Sequence, residues 1–150
     1  MRIITGALKG RQFNEPRGHK THPMSEKVRG ALFNALGDIE GLTFLDAFAG
    51  SGALSFEAIS RGAKHVTAIE IDKSAHSQVL QNIRTLQIEN GVKAIRANVG
   101  GWSIHNMEKK FDIVLLDPPY DQIKTELLQK LINRHVQRRR VSRTFLSWPC

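Results

Sequence analysis

The stretch TFLDAFAGSGALSFEAISRGA, residues 43–63, changes its period halfway along. Its first part, TFLDAF (43–48), is a short apolar run of the kind a buried strand requires. From Ser51 to Arg61 the apolar residues Leu54, Ala58 and Ile59 recur at helical spacing, and Gly62 stands where a helix stops. Between the two lie Asp46, Ala47, Phe48, Ala49, Gly50, Ser51 and Gly52, where glycines permit a tight turn and let a ligand come close to the backbone. This is a candidate nucleotide pocket. The G-x-G pattern lacks the third glycine of a dinucleotide fingerprint, and a plain strand-to-helix turn also needs small residues, so the loop alone does not decide between the two.

The pattern continues downstream. HVTAIEI (65–71) reads as a second strand, SAHSQVLQNIRTLQI (74–88) as a helix with Val79, Ile83 and Leu86 inward and a stop at Asn90-Gly91, KAIRAN (93–98) as a third strand and FDIVLLD (111–117) as a fourth. The order β-α-β-α-β-α-β predicts an α/β fold with a mostly parallel sheet and helices on both faces. Upstream, Met24 to Leu36 predicts a helix with Ser25 as N-cap, Val28, Leu32, Phe33 and Leu36 inward, and Gly37 closing it. Residues 1–20 hold the alternation RIITG and the turn-rich LKGRQFNEPRG, which predict a small hairpin projecting ahead of the main fold. The organisation is a single domain over 1–150: an N-terminal extension (1–23), a core (24–133) and a basic tail (134–150).

With 150 residues, 41% hydrophobic and 24% charged, the chain has the composition of a globular protein. It has no apolar run of the roughly 18 residues a membrane span needs and no secretory h-region at its start, so a cytoplasmic location is expected and a membrane partner is not. The only cysteine is Cys150, which excludes an internal disulfide framework and a Cys-rich zinc site. His19, His22, His65, His76, His105 and His135 show no metal-ligand spacing; no metal is expected, and the histidines read as surface residues. The net charge of +8 is divided unevenly: +5 over residues 1–30, −2 over 31–133 and +5 over 134–150. A near-neutral middle between basic ends suits a small-molecule pocket with arms that hold a polyanion, although basic ends also aid solubility.

Three further positions carry chemistry. Glu70 ends the second strand, 18 residues after Gly52, near the offset at which an acidic side chain accepts hydrogen bonds from ribose hydroxyls; Ile71 stands beside it. Asn98, at the end of the third strand, is a candidate for an adenine edge. Asp117-Pro118-Pro119-Tyr120 follows the apolar strand, and two prolines force the backbone out of the sheet at its carboxyl edge. That is the edge where Glu70 and the glycine loop also lie.

The last tetrapeptide matches the [DNS]-P-P-[YFW] motif of amino-group methyltransferases. An exocyclic amine is a poor nucleophile because its lone pair is delocalised into the ring; in the motif's chemistry the Asp117 side chain and the Pro118 carbonyl accept its hydrogens and favour the pyramidal form, while Tyr120 stacks on the base. The chain as a whole resembles the bacterial 16S ribosomal RNA guanine-N2 methyltransferases from Arg2 to about Leu131. The likeness rests on RIITGALKGR (2–11), THPMSEKVRGALFN (21–34), LDAFAGSGALSFEAISRGA (45–63), AIEID (68–72) and DIVLLDPPY (112–120).

The resemblance implies a Rossmann-like methyltransferase fold, S-adenosylmethionine as cofactor and a guanine N2 amine as target. It also implies cofactor contacts from Asp46, Phe48, Ala49, Gly50, Ser51, Gly52, Glu70, Ile71, Asn98 and Asp117, and catalytic roles for Asp117, Pro118, Pro119 and Tyr120. The basic arm would meet RNA through Lys9, Arg11, Arg17, Lys20 and Arg29, the partner being ribosomal RNA or a small ribosomal subunit under assembly. His22 stands where the family usually has arginine. After Tyr120 only 30 residues remain, whereas the family continues through a helix, a strand and a terminal hairpin. At most one more strand, TFLSW, fits, so the sheet is expected to lack its last strands and to expose an edge. Competing readings are an adenine-N6 DNA methyltransferase, whose amine the same motif serves, a nicotinamide oxidoreductase, and a truncated RNA-binding relative without turnover.

Overall fold

The computed structural model describes residues 1–18, 23–119, 121, 123–137 and, for the backbone, 143–146. Its elements in chain order are α1 (Glu26–Leu36), β1 (Thr43–Asp46), α2 (Ala53–Ser60), β2 (His65–Glu70), α3 (Lys73–Leu86), β3 (Val92–Arg96), α4 (Val99–His105), β4 (Ile113–Leu116), α5 (Thr125–His135) and β5 (Arg143–Leu146). The five strands pair in parallel in the order β3-β2-β1-β4-β5. The chain winds outward from β1 through β2 to β3 and then crosses back to place β4 on the other side of β1. Strand order therefore reverses between β1 and β4, and in open parallel sheets the crevice at that reversal, beyond the carboxyl ends, is where ligands bind.

Alternation along the strands assigns the two faces. Phe44, Ala68, Ile113 and Leu115 pack with α1, α2 and α3, while Leu45, Ile69, Val114 and Leu116 pack with Val99 and Trp102 of α4 and Leu128 and Leu131 of α5. Every residue of α2 except Ile59 is buried, which is why its sequence is apolar nearly all round. The strand and helix expectations hold to within a few residues. β3 ends at Arg96, however, and α3 stops at Gln87, held in the left-handed conformation at φ 56°, ahead of Asn90-Gly91. The TFLSW expectation meets β5, which covers Arg143–Leu146; Ser147 onward lies outside the described residues.

The N-terminal hairpin is real but does not project. Ile3 donates to the Arg11 carbonyl and Gly10 to that of Ile3, and Arg2 and Gln12 form an antiparallel bridge. Ile3 and Phe13 are buried in the core, and the Phe13 ring meets Phe56 edge-on at 5.0 Å, a contact worth about 0.5–1.5 kcal/mol beyond its burial. Polar ties add to this. The Ala7 amide donates to the Ser60 carbonyl at 2.8 Å and the Leu8 amide to Ser60 Oγ at 2.9 Å. Gly6 lies against α2 so closely that a Cβ would come within 2.0 Å of the Ser60 carbonyl oxygen.

α1 differs from expectation on its inner face. Ser25 caps it by accepting from the Val28 amide, and Gly37 closes it, but Val28 is 48% exposed and Arg29 is fully buried in its place. The Arg29 guanidinium lies 3.5 Å from Glu57 Oε1 and donates to the Arg2 carbonyl. Glu57, also fully buried, accepts from the amides of Ile4 (2.9 Å) and Thr5 (3.1 Å) and from Arg61 Nε (2.9 Å). One carboxylate thus joins the hairpin, α1 and α2.

Candidate active site at the carboxyl edge of the sheet

Three parallel strands deliver three acids to one edge: Asp46 closes β1, Glu70 closes β2 and Asp117 follows β4. Asp46 is buried, at 1% exposure. Its Oδ2 accepts from Ser55 Oγ at 2.7 Å, while its Oδ1 has no hydrogen-bond partner among the described residues. Burial pushes its carboxyl pKa up to about 7; the Ser55 hydroxyl opposes that rise, and the charges of Asp117 and Glu70 add to it. A site that gathers acids in this way is completed by a cation or by hydrogen-bond donors.

The loop after β1 is tied to both neighbouring strands. Ala47 donates to the Leu115 carbonyl at 3.2 Å and Ala49 to that of Ile69 at 2.9 Å. The Gly50 amide donates to Glu70 Oε2 at 2.7 Å, and Glu70 Oε1 accepts from the Asp72 amide at 2.9 Å. Gly50 has φ 55°, a conformation that disfavours other residues, and none of the described residues lies within 4 Å of where its Cβ would be, so the backbone is open to an approaching group. Gly52 has φ 83°, and a Cβ there would sit 2.7 Å from the Phe56 ring, so this glycine serves packing. Phe48 and Ser51 are half-buried, Ala49 is buried, and Ile71 beyond Glu70 is 54% exposed.

Asp117 and Pro119 are half-buried and Pro118 is buried where the chain leaves β4; Tyr120 lies outside the described residues. Asn98 is exposed beyond β3, where it caps α4 by accepting from the Gly101 amide at 3.2 Å. Of the basic residues expected to meet RNA, Lys9, Arg11 and Arg17 are exposed, Arg11 donating to the Thr85 carbonyl at 3.2 Å, and Lys20 lies outside the described residues. Arg29 is a correction: its guanidinium is enclosed with Glu57 and is not offered to a polyanion. His135 is a second correction. It is buried, with Nε2 2.7 Å from Ser103 Oγ and Nδ1 2.8 Å from the Lys109 carbonyl.

Ser55 and Glu57 escaped the sequence reading. The available signal was polarity on a helix whose other residues are mostly apolar; such side chains need partners inside. Among the described residues no group of three or more His, Cys, Asp or Glu could hold a metal, and no helix is long and apolar enough to cross a membrane.

The edge fits S-adenosylmethionine on its own terms. A buried carboxylate oxygen without a partner among the described residues, flanked by two further acids, suits a cationic amino-acid end; Glu70, at the strand end, suits ribose hydroxyls; and Gly50 leaves room at the backbone.

The chain is similar to known proteins in sequence and in fold. Ribosomal RNA small subunit methyltransferase D of Buchnera aphidicola is 40% identical over 132 residues, covering 87% of this chain and 67% of that protein. The protein of the same name from Escherichia coli is 36% identical over 134 residues, covering 89% of this chain and 65% of its own length. The chain thus spans about two thirds of these relatives. The solved structure of yhhF from Escherichia coli superposes with a TM-score of 0.79 at 34% identity, covering 90% of this chain and 74% of that one. The Rossmann-like methyltransferase fold is therefore shared. Residues 1–143, which include the hairpin, the glycine loop and all three edge acids, match the family described as Conserved hypothetical protein 95, and the chain belongs to that family.

Proposed function

We propose that this protein is an S-adenosylmethionine-dependent methyltransferase acting on the exocyclic N2 amine of a guanine in small-subunit ribosomal RNA. The observation that carries the reading is the convergence of Asp46, the Gly50–Glu70 pair and Asp117-Pro118-Pro119 at the reversal point of one sheet. The names of its relatives support ribosomal RNA as the substrate. Its partner would be that RNA, free or in a small subunit under assembly, and its compartment the cytoplasm.

The cofactor, when bound, supplies a methyl group already activated by the sulfonium charge. The chain's residues bind and orient. Glu70 accepts from the ribose hydroxyls while holding the glycine loop in shape, Asp46 receives the cationic end, and Ile71 and Asn98 flank the adenine. Asp117 and the Pro118 carbonyl accept the hydrogens of the target amine, which favours the pyramidal form in which its lone pair is available; Tyr120 stacks on the base. Positioning of this kind accounts for about 7–11 kcal/mol of a barrier. Extrusion of the base costs a few kcal/mol, against which stacking returns about 1–3 kcal/mol. Phosphate contacts from Lys9, Arg11, Arg17 and Lys20 supply the rest.

The test is methyl incorporation from labelled cofactor into 16S ribosomal RNA, small subunits and DNA, by wild type and Asp117→Ala. Label on guanine of the ribosomal substrates, lost in the variant, is the expected result. Label on DNA adenine, or cofactor binding with no transfer to any nucleic acid, would overturn the proposal.

A further inference from the structure

Asp46 and Ser55 are both enclosed, at 1% and 0% exposure, and are joined at 2.7 Å. Ser55 is the third residue of α2, and α2 begins at Gly52 in a left-handed conformation that turns the helix back beside the end of β1. A serine hydroxyl has one hydrogen to donate, and here it goes to Oδ2. Oδ1 is left buried and, among the described residues, without a partner. Native proteins rarely leave a buried acceptor unmet, so such an atom at a ligand crevice points to a donor that arrives with the ligand. The charged groups acting on Asp46 from the neighbouring strands are Asp117 beyond β4 and Glu70 at the end of β2, both acids, so a cationic donor suits the position.

We infer that Ser55 is a positioning residue for the amino-acid end of the cofactor: by holding Oδ2 of Asp46 it presents Oδ1 to the ligand's ammonium group. The inference rests on the cofactor reading above. It goes further in naming the residue that sets the carboxylate's orientation.

The two ligands that separate this role from a structural one are S-adenosylhomocysteine, which carries the ammonium, and 5′-methylthioadenosine, which lacks the amino-acid end. In calorimetric titrations, Ser55→Ala should weaken S-adenosylhomocysteine by about tenfold, the scale of a hydrogen bond to a charged group, and leave methylthioadenosine within about twofold. Ser55→Thr, which keeps the hydroxyl, should restore the difference. Wild-type affinity for S-adenosylhomocysteine should rise as pH passes about 7 and Asp46 ionises. In Ser55→Ala that rise should move to higher pH, because the hydroxyl favours the charged carboxylate. Asp46→Asn, close to the native side chain in shape, should lose S-adenosylhomocysteine selectively and flatten the profile.

Equal losses for both ligands, or none for either with an unmoved pH profile, would overturn the positioning role while wild-type binding stands. Failure of folded wild type to bind either nucleoside would overturn the cofactor reading together with it.

Discussion

The Gly50 amide and the Glu70 carboxylate hold one another at 2.7 Å, and the other oxygen of the same carboxylate takes the Asp72 amide at 2.9 Å. One side chain therefore shapes both the loop after β1 and the turn that starts α3. Glu70→Ala removes both acceptors and should weaken S-adenosylmethionine more than about tenfold in calorimetry, since each charge-assisted bond is worth about 1.5–3 kcal/mol. Glu70→Gln keeps one acceptor and should lose less. Equal affinities for the two variants would contradict the shaping role.

Glu57 is the more consequential acid for stability. Its removal leaves Arg29 buried without its ion-pair partner, only the charge of Glu26 still acting on it, and strips the Ile4 and Thr5 amides of their acceptor. Breaking a buried ion pair from one side costs about 3–5 kcal/mol, so Glu57→Ala should lower the urea midpoint steeply. A loss below about 1 kcal/mol would show that the cluster is not held as described.

Two buried titratable groups oppose one another in pH dependence. The Asp46 carboxyl is raised from 3.8 to about 7, so the folded chain binds its proton more tightly than the unfolded chain does; the stability this contributes is present at low pH and is lost as pH rises through about 7. Asp46→Asn should accordingly stabilise the unliganded protein more at alkaline than at mildly acidic pH. Burial lowers the pKa of His135 below the ordinary 6.5, the opposite case: its contribution is present above 6.5 and is lost as pH falls toward the folded value. His135→Gln should flatten that acid limb in denaturant titrations at a series of pH values. An unchanged slope would mean that the imidazole is not held neutral between Ser103 and Lys109.

RNA affinity should depend steeply on salt and should do so through the hairpin. Neutralising Lys9, Arg11 and Arg17 together should reduce the slope of log affinity against log salt by about 0.7–0.9 for each phosphate contact removed. Arg29→Gln should leave that slope unchanged and register instead in denaturation, because Arg29 is enclosed. A slope change caused by Arg29→Gln would reverse the present assignment.

The edge acids were legible because their placement is local: a carboxylate just after an apolar run lies at a strand's carboxyl end whatever surrounds it, and that held for Asp46, Glu70 and Asp117. Arg29, Val28 and His135 were misread for the converse reason. An arginine or histidine on a helix reads as solvated until its partner is known, and the partners, Glu57 for Arg29 and Ser103 for His135, lie 28 and 32 residues away in the chain. The aliphatic side chain of Val28 predicts an inward position, and the helix instead turns Arg29 inward to meet Glu57. Asn98 reads as a strand end in the sequence, but Arg96 closes that strand and the Asn98 side chain caps the next helix.

The contact between the hairpin and Glu57 also orders events at the ribosome. The Ile4 amide finds its acceptor 53 residues later in the chain. At a translation rate of about 5–20 residues per second, roughly 3–10 seconds separate the synthesis of the two. The hairpin precedes α2 in the chain and can dock on it only after α2 exists, so Ile3 and Phe13 lack that cover until then. Nascent-chain crosslinking should catch them in contact with a chaperone until Glu57 emerges.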